Sequence, residues 1–346
     1  MKIFGFLMLV FMTAACQPGE EQRDNGVDQS RDFTEVAVDL ESPWDIEQDG
    51  ENFFISEREG TIALVKDGQV ERQTVETERE ITQVGEGGLL GLKLQPDFSS
   101  NQQAYAYHTY EDGGRIMNRV IVLKYEGDGW IEQEAVLEEI PGSNFHNGGR
   151  IDIGPDEKLY FTTGDAQEES LAQDQNSLAG KILRLEQDGG IPEDNPEEES
   201  YVYSYGHRNP QGIAWNNEGE MFASEHGPTN HDEINLIEPG QNYGWPDIVG
   251  DDSKEGMQQP IFQTGNNTWA PSGITVYEDS IFVAALTGRA IYSLNMDGQN
   301  SETEAEGFGR VRDVVEVGGS LYFITNNTDG RGNPEEQDDQ LIRFQP

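Results

Sequence analysis

Gly149-Arg150-Ile151-Asp152-Ile153, Leu159-Tyr160-Phe161-Thr162 and Lys181-Ile182-Leu183-Arg184-Leu185 are short apolar segments separated by turn residues. Each is too short for a helix, and the spacing marks successive antiparallel strands of one sheet. The same order recurs five more times. Ser42-Pro43-Trp44-Asp45-Ile46 is followed by 52–56 and 62–65, and Gly88-Leu89-Leu90-Gly91-Leu92 by 104–107 and 120–123. Gln211-Gly212-Ile213-Ala214-Trp215 precedes 220–223 and 233–237, and Ser272-Gly273-Ile274-Thr275-Val276 precedes 281–284 and 290–294. Arg312-Asp313-Val314-Val315 opens the last copy, with 320–324 and 340–344. Six such units without helical periodicity between them predict an all-β protein, a six-bladed β-propeller formed by one domain over 33–346. The alternating segment 32–38 is expected to add a strand to the last unit and close the ring.

Composition limits what such a fold can bind. The chain has 346 residues, with 22 Lys and Arg against 66 Asp and Glu, a formal charge of −44. Nucleic-acid binding is excluded as the main function, because release of phosphate counterions requires basic clusters. The acidity reads as a heavily solvated surface. At the N-terminus one cation, Lys2, precedes the apolar run from Ile3 to Met12, which is too short for a permanent span and has the shape of a secretory signal. Thr13-Ala14-Ala15-Cys16 then resembles a bacterial lipoprotein box, in which cleavage leaves a lipidated cysteine. Residues 1–16 are therefore expected to be a signal peptide, 17–32 a flexible acidic tether, and the protein an exported, membrane-anchored lipoprotein. Cys16 is the only cysteine, so disulfides, thiolate metal sites and thiol nucleophiles are excluded from the domain.

The chemistry-bearing residues concentrate in the middle third. His146, His207, His226 and His231 all lie in glycine-rich segments between repeats or at strand ends. In a propeller those ends line the two faces, one of which holds the ligand depression. A histidine held by a carboxylate such as Asp165 is a candidate general base. His226 and His231 make a poor zinc pattern, whereas Gly227-Pro228 with Asp232 suits calcium, which takes main-chain carbonyls and carboxylates. Gly85-Glu86-Gly87-Gly88 lacks the third glycine and the helix of a dinucleotide loop.

The stretches GEGGLLGLKLQPDF (85–98), HNGGRIDIGPDEKLYFTTGD (146–165), GHRNPQGIAW (206–215), SEHGPTNHDEINLI (224–237) and NYGWP (242–246) resemble the glucose/sorbosone dehydrogenase group, the soluble sugar dehydrogenases that use pyrroloquinoline quinone. The resemblance covers nearly the whole chain after the tether. It implies a calcium-dependent oxidation of an aldose to a lactone, with hydride passing to the quinone and then on to an unknown electron acceptor. It assigns His146 as general base, Asp165 as its orienting carboxylate, and Arg208 and Asn209 as neighbours of the quinone ring. It places His226 beside the cofactor, the calcium at Gly227 and Pro228 with Asp232 nearby, and the cofactor carboxylates on Arg310 and Arg312. Two positions depart: Thr287 stands where the glucose enzymes carry a cofactor-binding lysine, and Glu86 where they carry a glutamine. Arg289 lies two residues from the missing cation. Two other readings stay open on these residues: a propeller that binds sugar or a protein without catalysis, and a calcium-assisted hydrolase or lactonase.

The location has its own test. Cys16→Ser is expected to abolish lipid attachment, and mass spectrometry of wild-type protein showing an unmodified N-terminus at another residue would overturn the lipoprotein reading.

Overall fold

Apolar residues on both faces of the central strands build antiparallel sheets that pack against a neighbour on either side: in Asn52–Glu57, Phe53 and Ile55 enter one core cluster and Phe54 another. The computed structural model describes residues 32–346, so the signal segment, Cys16 and all but the last residue of the tether lie outside the described residues. Four sheets have four strands each. An eight-stranded sheet consists of two further meanders, one from Pro43–Asp49 to Gln69–Glu76 and one from Leu89–Leu94 to Gly129–Pro141. Their outer strands join by a short parallel pairing between Thr74–Glu76 and Gly129–Ile131.

The innermost strands are Pro43–Asp49, Leu89–Leu94, Ile151–Ile153, Pro210–Trp215, Pro271–Tyr277 and Val311–Val317. Each touches the next in chain order and the last touches the first, which makes the assembly β-propeller-like. Aromatic and aliphatic side chains fill the wedges between sheets. Trp44, Tyr107 and Phe161 belong to one cluster, Phe54, Phe98 and Trp130 to a second, and Phe282, Phe323 and Phe344 to a third. As expected from its alternation, Thr34–Ala37 pairs with Leu341–Phe344 and supplies the outer strand of the last sheet. The Phe33 ring seals this seam, 5.1 Å from Phe308 and 5.6 Å from Phe344.

Sequence reading found three strands in most units where the structure has four. The missed strands are the outer ones, such as Gln69–Glu76 and Glu302–Glu306. They are polar and largely exposed, so they carry no apolar period to detect.

A second feature was not read from the sequence. Five of the six inner strands slip register near their start: at Pro43/Asp45, Leu89/Leu92, Pro210/Gly212, Pro271/Ile274 and Val311/Asp313. Such bulges re-aim side chains. Here Trp44, Gln211 and Ser272, from three other inner strands, all meet Arg312.

Arg150 lies in the same central region, 5% exposed. Its Nη1 donates to Asp45 and, at 3.0 Å, to Asp313 Oδ2. Its Nε donates to the Gln211 carbonyl at 3.1 Å, and its guanidinium lies 4.3 Å from the Trp44 ring centroid. Arg150→Met leaves two buried carboxyls without their cation and is expected to cost about 3–5 kcal/mol in urea denaturation. Burial, only partly answered by Arg150, pushes Asp45 up to about 8. The folded protein therefore keeps a proton that the unfolded chain releases near about pH 4. Stability from this group is full below about pH 4 and declines as the pH rises to about 8. Asp45→Asn is expected to flatten that decline; an unchanged slope would place the proton elsewhere.

Candidate active site

Antiparallel pairing decides where the motifs meet. Pro43 lies opposite Glu57, Pro210 opposite Glu225 and Val311 opposite Thr325. The starts of the inner strands and the ends of the second strands therefore share one end of the molecule. Arg208, Asn209 and Arg310 precede inner strands, while Arg58, Asp165, His226 and Thr287 follow second strands. Segments far apart in sequence thus converge at one face.

His146 and Asp165 form the expected dyad. His146 Nδ1 lies 2.7 Å from Asp165 Oδ1; the carboxylate is fully buried and the imidazole is 17% exposed. Asp165 Oδ1 also accepts the Gln167 amide at 2.8 Å, and Oδ2 accepts Trp245 Nε1 at 2.8 Å. With three donors on it the carboxylate has one orientation, and it fixes the proton of the imidazole on Nδ1. Nε2 is left as the acceptor, and among the described residues it makes no hydrogen bond. The backbone is as constrained as the side chain. His146 has φ 62°, and a Cβ on Gly164 would stand 2.0 Å from the His146 carbonyl, so only glycine fits there.

Around this dyad stands a group of buried nitrogens without partners. Arg58 Nε, Arg208 Nε, Asn209 Nδ2, Arg310 Nε, Arg312 Nε and His226 Nε2 are all buried and unpartnered. Such atoms cost about 1–3 kcal/mol each when left unsatisfied. Each of the four arginines is anchored through one terminal nitrogen. Arg312 Nη1 donates to Gln211 Oε1 at 2.8 Å, Arg310 Nη2 to Asp329 Oδ2 at 2.8 Å, and Arg58 Nη2 to the Gly87 carbonyl at 3.1 Å. The Arg208 guanidinium lies 5.3 Å from the Trp245 ring centroid. Burial lowers Arg58 and Arg208 from the usual guanidinium range, and it pulls Arg312 down to about 9. Burial likewise lowers His226 and favours its neutral form. These charges wait for an anion. An acceptor-rich polyanion such as a quinone tricarboxylate fits them.

The calcium candidates divide. Among the described residues, the carbonyls of Gly227 and Pro228 accept no hydrogen bond, which suits a hard cation. Asp232 is already engaged. Its Oδ1 accepts the Gly227 amide at 2.9 Å, and Oδ2 accepts Thr268 Oγ1 at 3.0 Å and the Trp269 and Ala270 amides at 2.7 and 2.9 Å. It holds the loop that presents Gly227 and Pro228. No cluster of three or more His, Cys, Asp or Glu side chains suited to a metal occurs among the described residues, so a cation here would rest on main-chain oxygens.

The four histidines separate as well. His146 and His226 belong to the site. His207 is buried beneath it, with Nδ1 2.9 Å from Glu225 Oε2, Nε2 2.8 Å from Ser204 Oγ and its ring stacked on Tyr243. Glu225 Oε1 in turn accepts the Arg208 amide, so this histidine supports Arg208 from below. His231 lies 3.0 Å from Gln263 Oε1 in the adjoining loop. Sequence reading missed Arg58, Trp245 and Arg331. Arg58 had a usable signal, since it follows a second strand just as Asp165 and His226 do. Arg331 had none, because it lies in a long turn outside every repeat segment.

Glu86 is half-buried, accepts the His146 amide at 3.2 Å and pairs with Arg331 Nη1 at 2.7 Å. Burial works against its ionisation, yet the paired Arg331 guanidinium and the His146 amide outweigh it and hold the carboxyl below its usual range. Thr287 is exposed and lines a cavity of about 250 Å³ together with Arg289, Arg310, Asn327 and Arg331.

Comparison with known proteins agrees with this geometry. The profile of the Glucose / Sorbosone dehydrogenase family matches residues 40–342. A PQQ-bound aldose sugar dehydrogenase from Streptomyces coelicolor superposes with a TM-score of 0.85 at 37% identity, covering 91% of this chain and 98% of that one. Aldose sugar dehydrogenase YliI of Escherichia coli is 28% identical over 84% of this chain and 89% of its own. Quinoprotein glucose dehydrogenase B of Acinetobacter calcoaceticus is 38% identical over 49% of this chain and 42% of its own. With most of its length matched and the dyad in place, the chain belongs to the glucose/sorbosone dehydrogenase family.

Proposed function

We propose that this protein is a six-bladed, calcium-dependent quinoprotein that oxidises an aldose at its anomeric carbon to the lactone. The observation that carries the proposal is the His146–Asp165 dyad set among buried, unpartnered guanidinium donors. Its relatives carry names of the same activity, and one is bound to PQQ. When bound, the quinone supplies the two-electron acceptor for hydride from the anomeric carbon. His146 Nε2 takes the proton of the anomeric hydroxyl, and Asp165 holds Nδ1–H and stabilises the imidazolium that results. Arg310 and Arg312 are suited to the cofactor carboxylates, and Arg208 and Asn209 to its ring oxygens. The Gly227 and Pro228 carbonyls would hold the calcium, with Asp232 fixing their loop. Electrons then leave to an acceptor outside the protein. The same proposal places the enzyme outside the cytoplasm on a lipid at Cys16, and that part rests on the sequence alone.

The test separates binding from chemistry. Wild-type protein with calcium is titrated with quinone by absorbance, then assayed by dye reduction with a panel of aldoses. His146→Gln is expected to bind quinone normally and to lose roughly 10²–10⁴-fold in turnover. Asp165→Asn is expected to lose less. Arg312→Ala is expected to need roughly 30- to several-thousand-fold more quinone, the effect of removing one partner from a desolvated charge pair. Wild-type protein without saturable quinone binding would overturn the proposal and favour a propeller that binds without oxidising.

A further inference from the structure

The mouth of the site holds a charge that the reaction as described does not use. Arg331 arrives from the last unit and reaches the segment just before the second inner strand. Its Nη1 is 2.7 Å from Glu86 Oε1, and its guanidinium lies 5.3 Å from the centroid of the Phe145 ring. Phe145 is the residue before the dyad histidine and is 38% exposed, one of three large apolar side chains so placed among the described residues. Arg331 is therefore held on two sides, by a carboxylate and by an aromatic face. Among the described residues its Nε and Nη2 make no hydrogen bond. It lines the same cavity as Thr287 and Arg310.

Charge balance shows what this cation is placed to do. Arg58, Arg310, Arg312 and Arg331 lie within reach of one another's fields, and Glu86 and Asp329 are the carboxylates among them. Glu86 accepts the His146 amide with one oxygen and needs a cation on the other if its charge is not to repel an anionic ligand. Arg331 meets that need with one nitrogen and keeps two donors in hand. Arg289, the third cation of the cavity beside Arg310 and Arg331, is exposed and makes no hydrogen bond or ion pair among the described residues. A guanidinium fixed in advance loses less freedom on binding than a loose one.

We infer that Arg331 is a cofactor-binding residue, whose guanidinium is oriented by Glu86 and Phe145 to take a carboxylate of the quinone where position 287 offers no cation. The inference rests on the quinoprotein proposal. It also gives Glu86 a purpose: the carboxylate that departs from the neutral residue expected at position 86 is the anchor of the substitute cation.

Quinone affinity, measured by absorbance titration at fixed calcium without sugar, is the readout, and thermal unfolding of each apoprotein reports folding. Arg331→Gln is expected to weaken quinone binding about tenfold or more, and Arg289→Gln to leave it within about twofold. Thr287→Lys in the Arg331→Gln background is expected to restore much of the loss. The double variant Glu86→Gln/Arg331→Gln decides between contact and mere neutralisation. If it binds quinone as tightly as wild type, Arg331 serves only to cancel Glu86 and the inference falls. It falls too if Arg331→Gln binds normally, or if Arg289→Gln carries the loss instead. In each of those cases wild type still binds quinone and the proposed function stands. A wild type with no saturable binding takes both down.

Discussion

One buried guanidinium sets the geometry on which everything else rests. Arg150 reaches Asp45, Asp313, the Gln211 carbonyl and the Trp44 ring, and those groups belong to three inner strands other than the one it precedes. A ring of sheets packed by apolar wedges can slide at modest expense, because dispersion and burial are non-directional. A guanidinium with fixed donor directions cannot slide with it. The inner strands are thereby locked at the level where their bulges turn side chains inward. Trp44 passes the constraint upward, since Arg312 lies 5.8 Å from the centroid of the same indole. The structural cation and a site cation thus share one aromatic ring.

The site is electropositive inside a strongly acidic chain. With 22 basic residues against 66 acidic ones, gathering five arginines around one depression is a marked departure from the average surface. An anionic cofactor approaches against the field of the whole molecule, and salt screens that field beyond about 8–10 Å. Attraction is therefore a matter of the last few ångströms, where desolvated guanidiniums outweigh the distant carboxylates. The acidic exterior and the basic interior act on different length scales and do not conflict.

Much of this was legible in the sequence because the fold is a repetition. The strands 151–153, 159–163 and 181–185 could be found from apolar runs and turns, and the strand order followed from their recurrence. The dyad was legible for a different reason: His146 and Asp165 sit in a contiguous glycine-rich stretch, and that stretch resembles a known group. What escaped has a physical cause in each case. Outer strands such as 69–76 face water on most sides and so have no apolar signature. The inner-strand bulges did carry a mark, Pro43, Pro210 and Pro271 at the slip and Gly91, Gly212 and Gly273 at or within it, but the apolar repeat masks it. The Glu86–Arg331 pair joins positions 245 residues apart, and a contact of that separation leaves no local mark. Asp232, read with Gly227 and Pro228 as a calcium-site residue, accepts four hydrogen bonds that tie it to this loop and to 268–270, contacts that no local pattern announces.

The pairing of Thr34–Ala37 with Leu341–Phe344 has a kinetic side. The last sheet takes one strand from the beginning of the domain and three from its end. It cannot be completed until the final residues exist, however early the other sheets have formed. Closing so long a loop is slow, and the delay grows with the mean separation of contacting residues. Until then two sheet edges stay open, each a template for the wrong partner, including the same edge of a second chain. The seam that completes the last sheet is also the step at which a growing chain is most exposed to misassembly.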